Sequence, residues 1–468
     1  MIKFGTGGFR GIIGDDFTKA AVQQIAQGLS DIILSDNISS NVVVGYDHRF
    51  CSEFFAEWIA ETLTGNGVKT LLYSEPMPSP AVMTAVRDEG LDYGIMITAS
   101  HNPYRFNGVK LFTRGGVDAD VTVTDRLERA INNVTAVKSL KTSKARELGL
   151  LVDYTNLQQY IDNIKSFVSP KIRKNNLNIL YNNLYGVGAK CIAPLFKQVG
   201  VMSLTVMHTE RDAFFGNRMP NPTEKVMQDM KEQVTANGYT FGMATDSDVD
   251  RLGIIDEQGN YVSSNEILAS IYYYLVKYRG MSGDVVKNCA TSVLVDKVAS
   301  KLGFACHEVD VGFKNISAGI KKFDALIGGE SSGGLTVRGY IFGKDSVFSS
   351  MLFAEMTAVI GKPVSEIIGE VRRFADYNHV CIENEIRFDS EDGLVEFLTD
   401  NLPKFERKLI KFEHFTRNFK YYFDNDCWAL IRLSGTEPVF RVFAEFENKE
   451  QANKAVDELR ALIDSRKN

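Results

Sequence analysis

The sequence predicts an α/β protein: three successive α/β domains with mixed, largely parallel sheets, followed by a smaller α+β C-terminal domain. Three observations carry this. Short β-branched runs alternate with helix-period segments through most of the chain, which favours doubly wound layers. The 468 residues give room for roughly three or more units at about 150 residues each. Residues 377–468 then change character, with strand-like runs gathered ahead of one terminal helical pattern.

In the first unit, 1–150, Val22, Ile25, Ala26, Leu29, Ile32 and Ile33 recur at helical spacing. Asn41-Val-Val-Val-Gly-Tyr46 and Tyr93-Gly-Ile-Met-Ile-Thr98 read as buried strands. The alternation returns at 177–180 and 239–243 in a second unit, 151–256. It returns again at 284–286 and 325–327 in a third, 257–376. In the fourth, 377–468, segments 380–388, 427–433 and 439–446 read as strands. The terminal helix puts Ala452, Ala455, Val456, Leu459, Leu462 and Ile463 on one face. No low-complexity linker separates the units, so they are expected to pack closely.

Bulk composition narrows the function classes. Apolar residues make up 44% and charged residues 24%, ordinary for a globular protein. A net charge of −6 without a run of five like charges argues against nucleic acid as partner. An anionic small substrate is compatible with it if a basic pocket lies inside the acidic total. The six cysteines form no C-x-x-C pair, which reads as scattered buried thiols in a reducing, cytoplasmic setting. Residues 1–17 contain no apolar leader segment. The most apolar helical stretch, 271–276, is cut by Lys277 and is too short to span a bilayer, so no membrane partner is expected.

Two segments carry the strongest chemical signal. Asp246-Ser-Asp-Val-Asp250 offers carboxylates at i, i+2 and i+4. A straight strand would set the first and last about 13 Å apart, at roughly 3.3 Å per residue. A Mg²⁺ ion needs its oxygens near about 2.1 Å. The segment must therefore curl after the strand ending at Ala244, and loops beyond the carboxyl ends of strands are where α/β proteins place their sites. An EF-hand is the rival metal reading, since Glu257 follows at the right distance. It requires glycine where Arg251 stands, and a helix where a strand precedes.

Thr98-Ala-Ser-His-Asn-Pro103 ends an apolar run, and Pro103 restricts Asn102 to extended backbone, which predicts a sharp, exposed turn presenting Ser100. Three carboxylates against one Mg²⁺ leave −1, and a phosphoserine adds about −2, so cations must be near. Arg251 follows the triplet directly. His101 and Lys110 are candidates to move a proton or bind phosphate.

Four further segments remain. Gly5-Thr-Gly-Gly-Phe-Arg-Gly11 has the wrong spacing for a dinucleotide loop and reads as a phosphate-facing loop around Arg10. Gly339-Tyr-Ile-Phe-Gly-Lys344 is one residue short of a P-loop and has Asp345 where Ser or Thr belongs. Gly329-Glu-Ser-Ser-Gly333 matches a nucleophile elbow, with Asp345 and His379 following Ser331 in hydrolase order. That reading leaves Ser100 and the aspartates unused; the alternative is that Glu330 and Ser332 read vicinal sugar hydroxyls. Arg432-Leu-Ser-Gly-Thr-Glu-Pro438, with Arg441, combines guanidiniums and a Ser-Gly-Thr turn suited to a phosphate monoester. Each segment alone also has an ordinary reading as a surface turn.

Taken in order, five segments resemble the α-D-phosphohexomutase family of phosphoglucomutases and phosphomannomutases. They are Gly5–Gly11, Thr98–Pro103, Asp246–Arg251, Gly328–Gly333 and Arg432–Pro438. The resemblance covers the whole chain. It implies four domains around a central cleft and interconversion of hexose 1-phosphates and 6-phosphates through a bisphosphorylated sugar, with hexose 1,6-bisphosphate as activator and intermediate. By resemblance Ser100 is the phosphoserine, and Asp246, Asp248 and Asp250 hold Mg²⁺ with its phosphate. Arg10, His101, Lys110 and Arg251 would surround the transferred group. Glu330, Ser332 and Lys314, the last in Val311-Gly-Phe-Lys314 of phosphoglucomutase type, would read the sugar. Arg432, Ser434, Gly435, Thr436 and Arg441 would hold the other phosphate. The preferred hexose implied is glucose, then mannose, then glucosamine, and the expected assembly is a monomer or homodimer. A non-catalytic sugar-phosphate-binding protein on the same fold is the alternative from a different class. Gly7 stands where many relatives have Asp or Ser. Gly334 stands where mannose and glucosamine types often carry His, which leaves one proton carrier without a counterpart.

Overall fold

The first α/β sheet is built on the strands Val42–Tyr46, Thr70–Tyr73 and Tyr93–Ile97, all parallel. Their apolar residues are buried on both faces, as a parallel sheet covered by helices requires. The computed structural model describes residues 2–5, 8–36, 41–174, 176–387, 393–433 and 439–466. Leu151–Tyr154 extends this sheet on one side. On the other, Phe106–Thr113 turns back antiparallel to Tyr93–Ile97, and Phe9–Ile12 pairs with it in turn.

The same plan recurs twice. In the second sheet Asn178–Asn182 is flanked by parallel Ser203–Met207 and Phe241–Thr245, and Leu252–Asp256 folds back antiparallel on the latter. In the third, Val285–Asn288 is flanked by parallel Cys306–Val309 and Ile327–Gly329, and Leu335–Val337 folds back. The fourth sheet is wholly antiparallel, in the order Val380–Arg387, Val439–Phe446, Trp428–Leu433, Asn418–Tyr422, Lys411–His414.

Each hairpin connection thus leaves the carboxyl end of an apolar strand, and these connections are the segments singled out above. Residues 98–105 join the first hairpin, 246–251 the second and 330–334 the third, and 434–438 lie between the paired strands of the fourth. A strand's side chains alternate faces, so the turn is the one place where consecutive polar residues escape the sheet.

The helices are fixed by local signals. Thr18 caps Lys19–Ser35, and Ser263 with Glu266 forms a capping box on Ser264–Lys277. Asp345 caps Ser346–Ile360 through the Val347 and Phe348 amides. The apolar stretch 271–275 is buried core. Among the described residues no single helix is long and apolar enough to cross a membrane. One large apolar cluster draws residues from Phe9 to Ala375, whereas 386–463 has a core of its own beneath the helix Lys449–Ser465. All six cysteines are free thiols.

Candidate active site

Ser100 lies at the tip of the first hairpin turn, with φ 49°, in the left-handed region. The sequence predicts an exposed turn; the structure corrects this, since Ser100 is only 1% exposed. The reason is tertiary: the second hairpin turn, 146 residues on, packs over it. Ser100 Oγ donates to Asp246 Oδ2 at 2.8 Å. His101 Nδ1 lies 3.4 Å from the same oxygen of Ser100.

The aspartate loop curls as the distance argument requires. Its strand ends at Thr245, and Val249 takes φ 66°, a strained value for a β-branched residue. One oxygen from each of Asp246, Asp248 and Asp250 falls within 4.8 Å of the others, all in buried side chains. The Asp250 and Arg251 amides donate to Asp246 Oδ1 at 2.8 and 3.0 Å and lock the curl. Lys110 Nζ bridges Asp248 (2.5 Å) and Asp250 (2.9 Å). Asp248 Oδ1 and Asp250 Oδ1 are buried without a hydrogen-bond partner. Two orphaned carboxylate oxygens in a three-carboxylate cluster fit a hard divalent cation. The loop joins antiparallel strands, and Glu257 is engaged by Ser365, so the EF-hand reading is excluded.

The charges follow from this crowding. Burial, then Asp250 and Asp248, push Asp246 well above the usual carboxylate range. Burial also opposes the charge of Asp250, but Lys110, Lys344 and Arg251 outweigh it and hold that group well below the range. Burial works against Lys110 too, and Asp248 with Asp250 more than restore its charge. Burial, then Arg251 and Arg10, hold His101 well below the usual histidine value, so its ring is neutral near pH 7.

Arg10 sits in the strand Phe9–Ile12, not in a free loop as its glycine-rich setting predicts. It stands opposite Gly108, where a β-carbon would meet the Phe9 and Thr98 carbonyls at 2.6 Å. Its Nη1 donates to Asn102 Oδ1 at 2.5 Å.

A cavity of about 730 Å³ opens over these groups. Its wall takes Arg10, His101, Lys110, Asp250 and Arg251 from the first two hairpins. Glu330 and Ser332 come from the third, and Arg432 and Arg441 from the fourth sheet. Among the described residues seven Lys and Arg line it against four carboxylates. A cationic cleft in a chain of net charge −6 suits a doubly anionic ligand. Glu330 Oε1 accepts from the Gly312 amide at 3.1 Å, and Ser332 Oγ donates to Glu330 Oε2 at 3.2 Å. Lys314 stands in the first turn of the helix Phe313–Phe323, just behind the wall residues Gly312 and Phe313. Gly7, Ser434, Gly435 and Thr436 lie outside the described residues.

The hydrolase triad is not assembled. The Ser331 amide donates to Thr291 Oγ1, Asp345 accepts from Tyr160 and Tyr340, and His379 Nε2 donates to the Asn425 carbonyl.

Two groups escaped the sequence reading. Lys344, in the segment whose spacing rules out a P-loop, lines the cavity and reaches Asp250 Oδ2 at 2.9 Å. Asp47 and Arg49 lie buried beneath the serine turn. The signal that could have found them was an ionic triplet, Asp47-His-Arg49, directly after the fully apolar strand Val42–Tyr46.

The fold and the cleft define a protein in which all four sheets contribute residues to one cavity rich in cationic side chains. Sequence profiles of the phosphoglucomutase/phosphomannomutase alpha/beta/alpha domains I, II and III match residues 1–138, 158–259 and 263–374, and that of the C-terminal domain matches 385–462. The chain belongs to the phosphoglucomutase/phosphomannomutase family of α-D-phosphohexomutases, and is an enzyme of the mutase class. It is 28% identical to a phosphoglucomutase/phosphomannomutase of Thermococcus kodakarensis, over 97% of this chain and 96% of that one. It is 27% identical to a phosphoglucosamine/phosphogalactosamine mutase of Sulfurisphaera tokodaii, over 99% of each. A crystal structure of a candidate phosphomannomutase from Thermus thermophilus superposes with a TM-score of 0.85 at 26% identity, over 99% of both chains.

Proposed function

We propose that this phosphohexomutase carries its phosphoryl group on Ser100 and interconverts hexose 1-phosphate and hexose 6-phosphate through a bisphosphorylated sugar. One observation carries the reading: Ser100 Oγ lies 2.8 Å from Asp246, in a buried three-carboxylate cluster whose third member, Asp250, lines the cationic cavity together with His101. Asp246, Asp248 and Asp250 would hold Mg²⁺, which when bound supplies Lewis-acid stabilisation of the phosphoryl oxygens. The division into units 1–150, 151–256, 257–376 and 377–468 gives one site loop to each.

In the forward step the Ser100 Oγ–P bond breaks as the free sugar hydroxyl forms its own bond to phosphorus. The hydroxyl proton passes to a neutral base, and His101 is the neutral group beside Ser100 Oγ. Lys110, Arg10 and Arg251 stay cationic and offset the charge spread over the equatorial oxygens. The sugar then turns over, and Ser100 takes back the other phosphate. Arg432 and Arg441, with Ser434, Gly435 and Thr436, would anchor whichever phosphate is not reacting. Glu330 and Ser332 would read hydroxyls, and Lys314 would assist from the helix behind them.

Glucose is the proposed hexose, on the strength of Val311-Gly-Phe-Lys314. The Sulfurisphaera relative makes amino sugars the second reading. The test is Ser100→Ala, assayed with glucose 1-phosphate, glucose 1,6-bisphosphate and Mg²⁺, with intact-mass measurement of the wild-type protein. We expect loss of turnover and one phosphate on wild-type Ser100. Near-normal turnover in the variant would end the phosphoserine reading.

A further inference from the structure

The strand Val42–Tyr46 delivers an aspartate and an arginine to the underside of the serine turn, and neither Asp47 nor Arg49 is exposed to solvent. Arg49 Nη1 donates to the carbonyls of Pro103 (3.1 Å) and Phe106 (2.9 Å). Its Nη2 donates to the carbonyl of Asn102 (2.7 Å) and to that of Ser100 itself. Three carbonyls of the serine turn and that of the first residue of the following strand therefore converge on a single guanidinium. Burial lowers its pKa to about 10, which leaves it cationic at neutral pH.

Asp47 ties this clamp to its surroundings. Its Oδ1 accepts from the Arg49 amide and the Ser52 hydroxyl, both at 3.0 Å. Its Oδ2 accepts from the Thr98 hydroxyl (2.6 Å), and Ser247 Oγ lies 3.3 Å from it. The Thr98 hydroxyl in turn accepts the Ser100 amide at 2.9 Å. Ser247, the residue between the first two aspartates, donates to the Ser100 carbonyl at 2.6 Å. The serine turn and the aspartate loop thus share one buried hub. None of Asp47, Arg49 and Ser247 lines the cavity.

A serine at φ 49° is strained and persists only where its surroundings over-determine it. We propose that Asp47 and Arg49 are positioning residues, which fix the height of Ser100 Oγ over the three aspartates and so the placement of the phosphoryl group for in-line transfer. The proposal rests on the phosphoserine reading above. A planar fork with five donors is needed to reach four carbonyls at once; an ammonium offers three donors at a single point.

Arg49→Lys tests this, with Ser247→Ala as a second variant that removes the hydroxyl joining the Asp47–Arg49 hub to the Ser100 carbonyl and keeps the Ser100–Asp246 contact. Both are assayed at 25 °C with glucose 1-phosphate, glucose 1,6-bisphosphate and Mg²⁺, beside wild type and Ser100→Ala, after circular dichroism shows them folded. We expect kcat to fall about 10- to 100-fold while KM changes less than about 3-fold, because the cavity wall is untouched. A merely structural role would lower the melting temperature and leave kcat at 25 °C unchanged. Wild-type kcat in either folded variant overturns the proposal; if Arg49→Lys does not fold, Ser247→Ala decides. Turnover surviving in Ser100→Ala overturns the phosphoserine reading and this proposal with it. Inactive Ser100→Ala beside a normal Arg49→Lys overturns this proposal alone.

Discussion

At the residue scale the site is a set of compromises over space and charge. Gly334 illustrates it. A β-carbon there would lie 2.2 Å from Lys344 Cδ and 2.5 Å from its Cγ. The stem of Lys344 fills the volume that a side chain at 334 would take, and its amine reaches Asp250 and the cavity. Glycine at this position therefore admits a cation from the next segment of chain. Gly334→Ala should push Lys344 off Asp250 and lower kcat/KM about 10-fold in the glucose 1-phosphate assay, a loss of about 1.4 kcal/mol in transition-state stabilisation. Unchanged kcat/KM would mean that Lys344 contributes nothing there. The absence of a side chain at 334 was legible in the sequence. Its meaning was not, because a glycine does not announce which neighbour occupies its space.

At the scale of elements, antiparallel strand pairs recur in four sheets, and each sheet lends residues to the cavity. The strands were legible, since buried parallel strands are continuous β-branched runs. The antiparallel return strands were harder: Leu335–Val337 is only three residues long, and Phe9–Ile12 hides in a glycine-rich segment. Helix starts are equally local, and one carries a pH dependence. Asp345 caps Ser346–Ile360 and accepts from Tyr160 and Tyr340 while fully buried. Burial, the largest influence, raises its pKa to about 6. Between the unfolded value near 3.9 and about 6, the folded state binds more protons than the unfolded chain, so this group's contribution falls as pH rises through that window. The loss is about 3 kcal/mol at most, at about 1.4 kcal/mol per unit. Asp345→Asn should flatten the decline in melting temperature between pH 4 and 7, followed by thermal denaturation. An identical slope in the variant would show that Asp345 does not titrate there.

At the scale of the whole molecule, three sheets share one apolar core while the fourth has its own. The seam between third and fourth joins a small cluster around Trp428 to two polar networks. Glu445 accepts from the Val293 amide (3.0 Å), the Tyr377 hydroxyl (2.6 Å) and Trp428 Nε1 (2.5 Å). Glu308 accepts from Lys420 Nζ (2.6 Å) and the Tyr422 hydroxyl (2.7 Å). Such a seam sets register through hydrogen bonds more than through apolar area. It presents Arg432 and Arg441 to the cavity at the side remote in sequence from Ser100. If these arginines hold the non-reacting phosphate, they act equally in ground and transition states. Arg432→Ala should then raise KM for glucose 1-phosphate about 10-fold or more with little change in kcat. A large fall in kcat at constant KM would contradict that anchoring role.

The amino-acid sequence by itself determined the chemistry on offer: a serine beside a histidine, three carboxylates two residues apart, arginines beside a hydroxyl-rich turn. Those are properties of a few consecutive residues, and their order along the chain suffices to place the family. Only the tertiary structure decided that Ser100 is covered, that a second lysine fills the space beside Gly334, and that Arg49 grips the turn from below. Each of those depends on the separation of segments brought together by sheet packing. That separation is set by the whole apolar core, and no short stretch of residues encodes it.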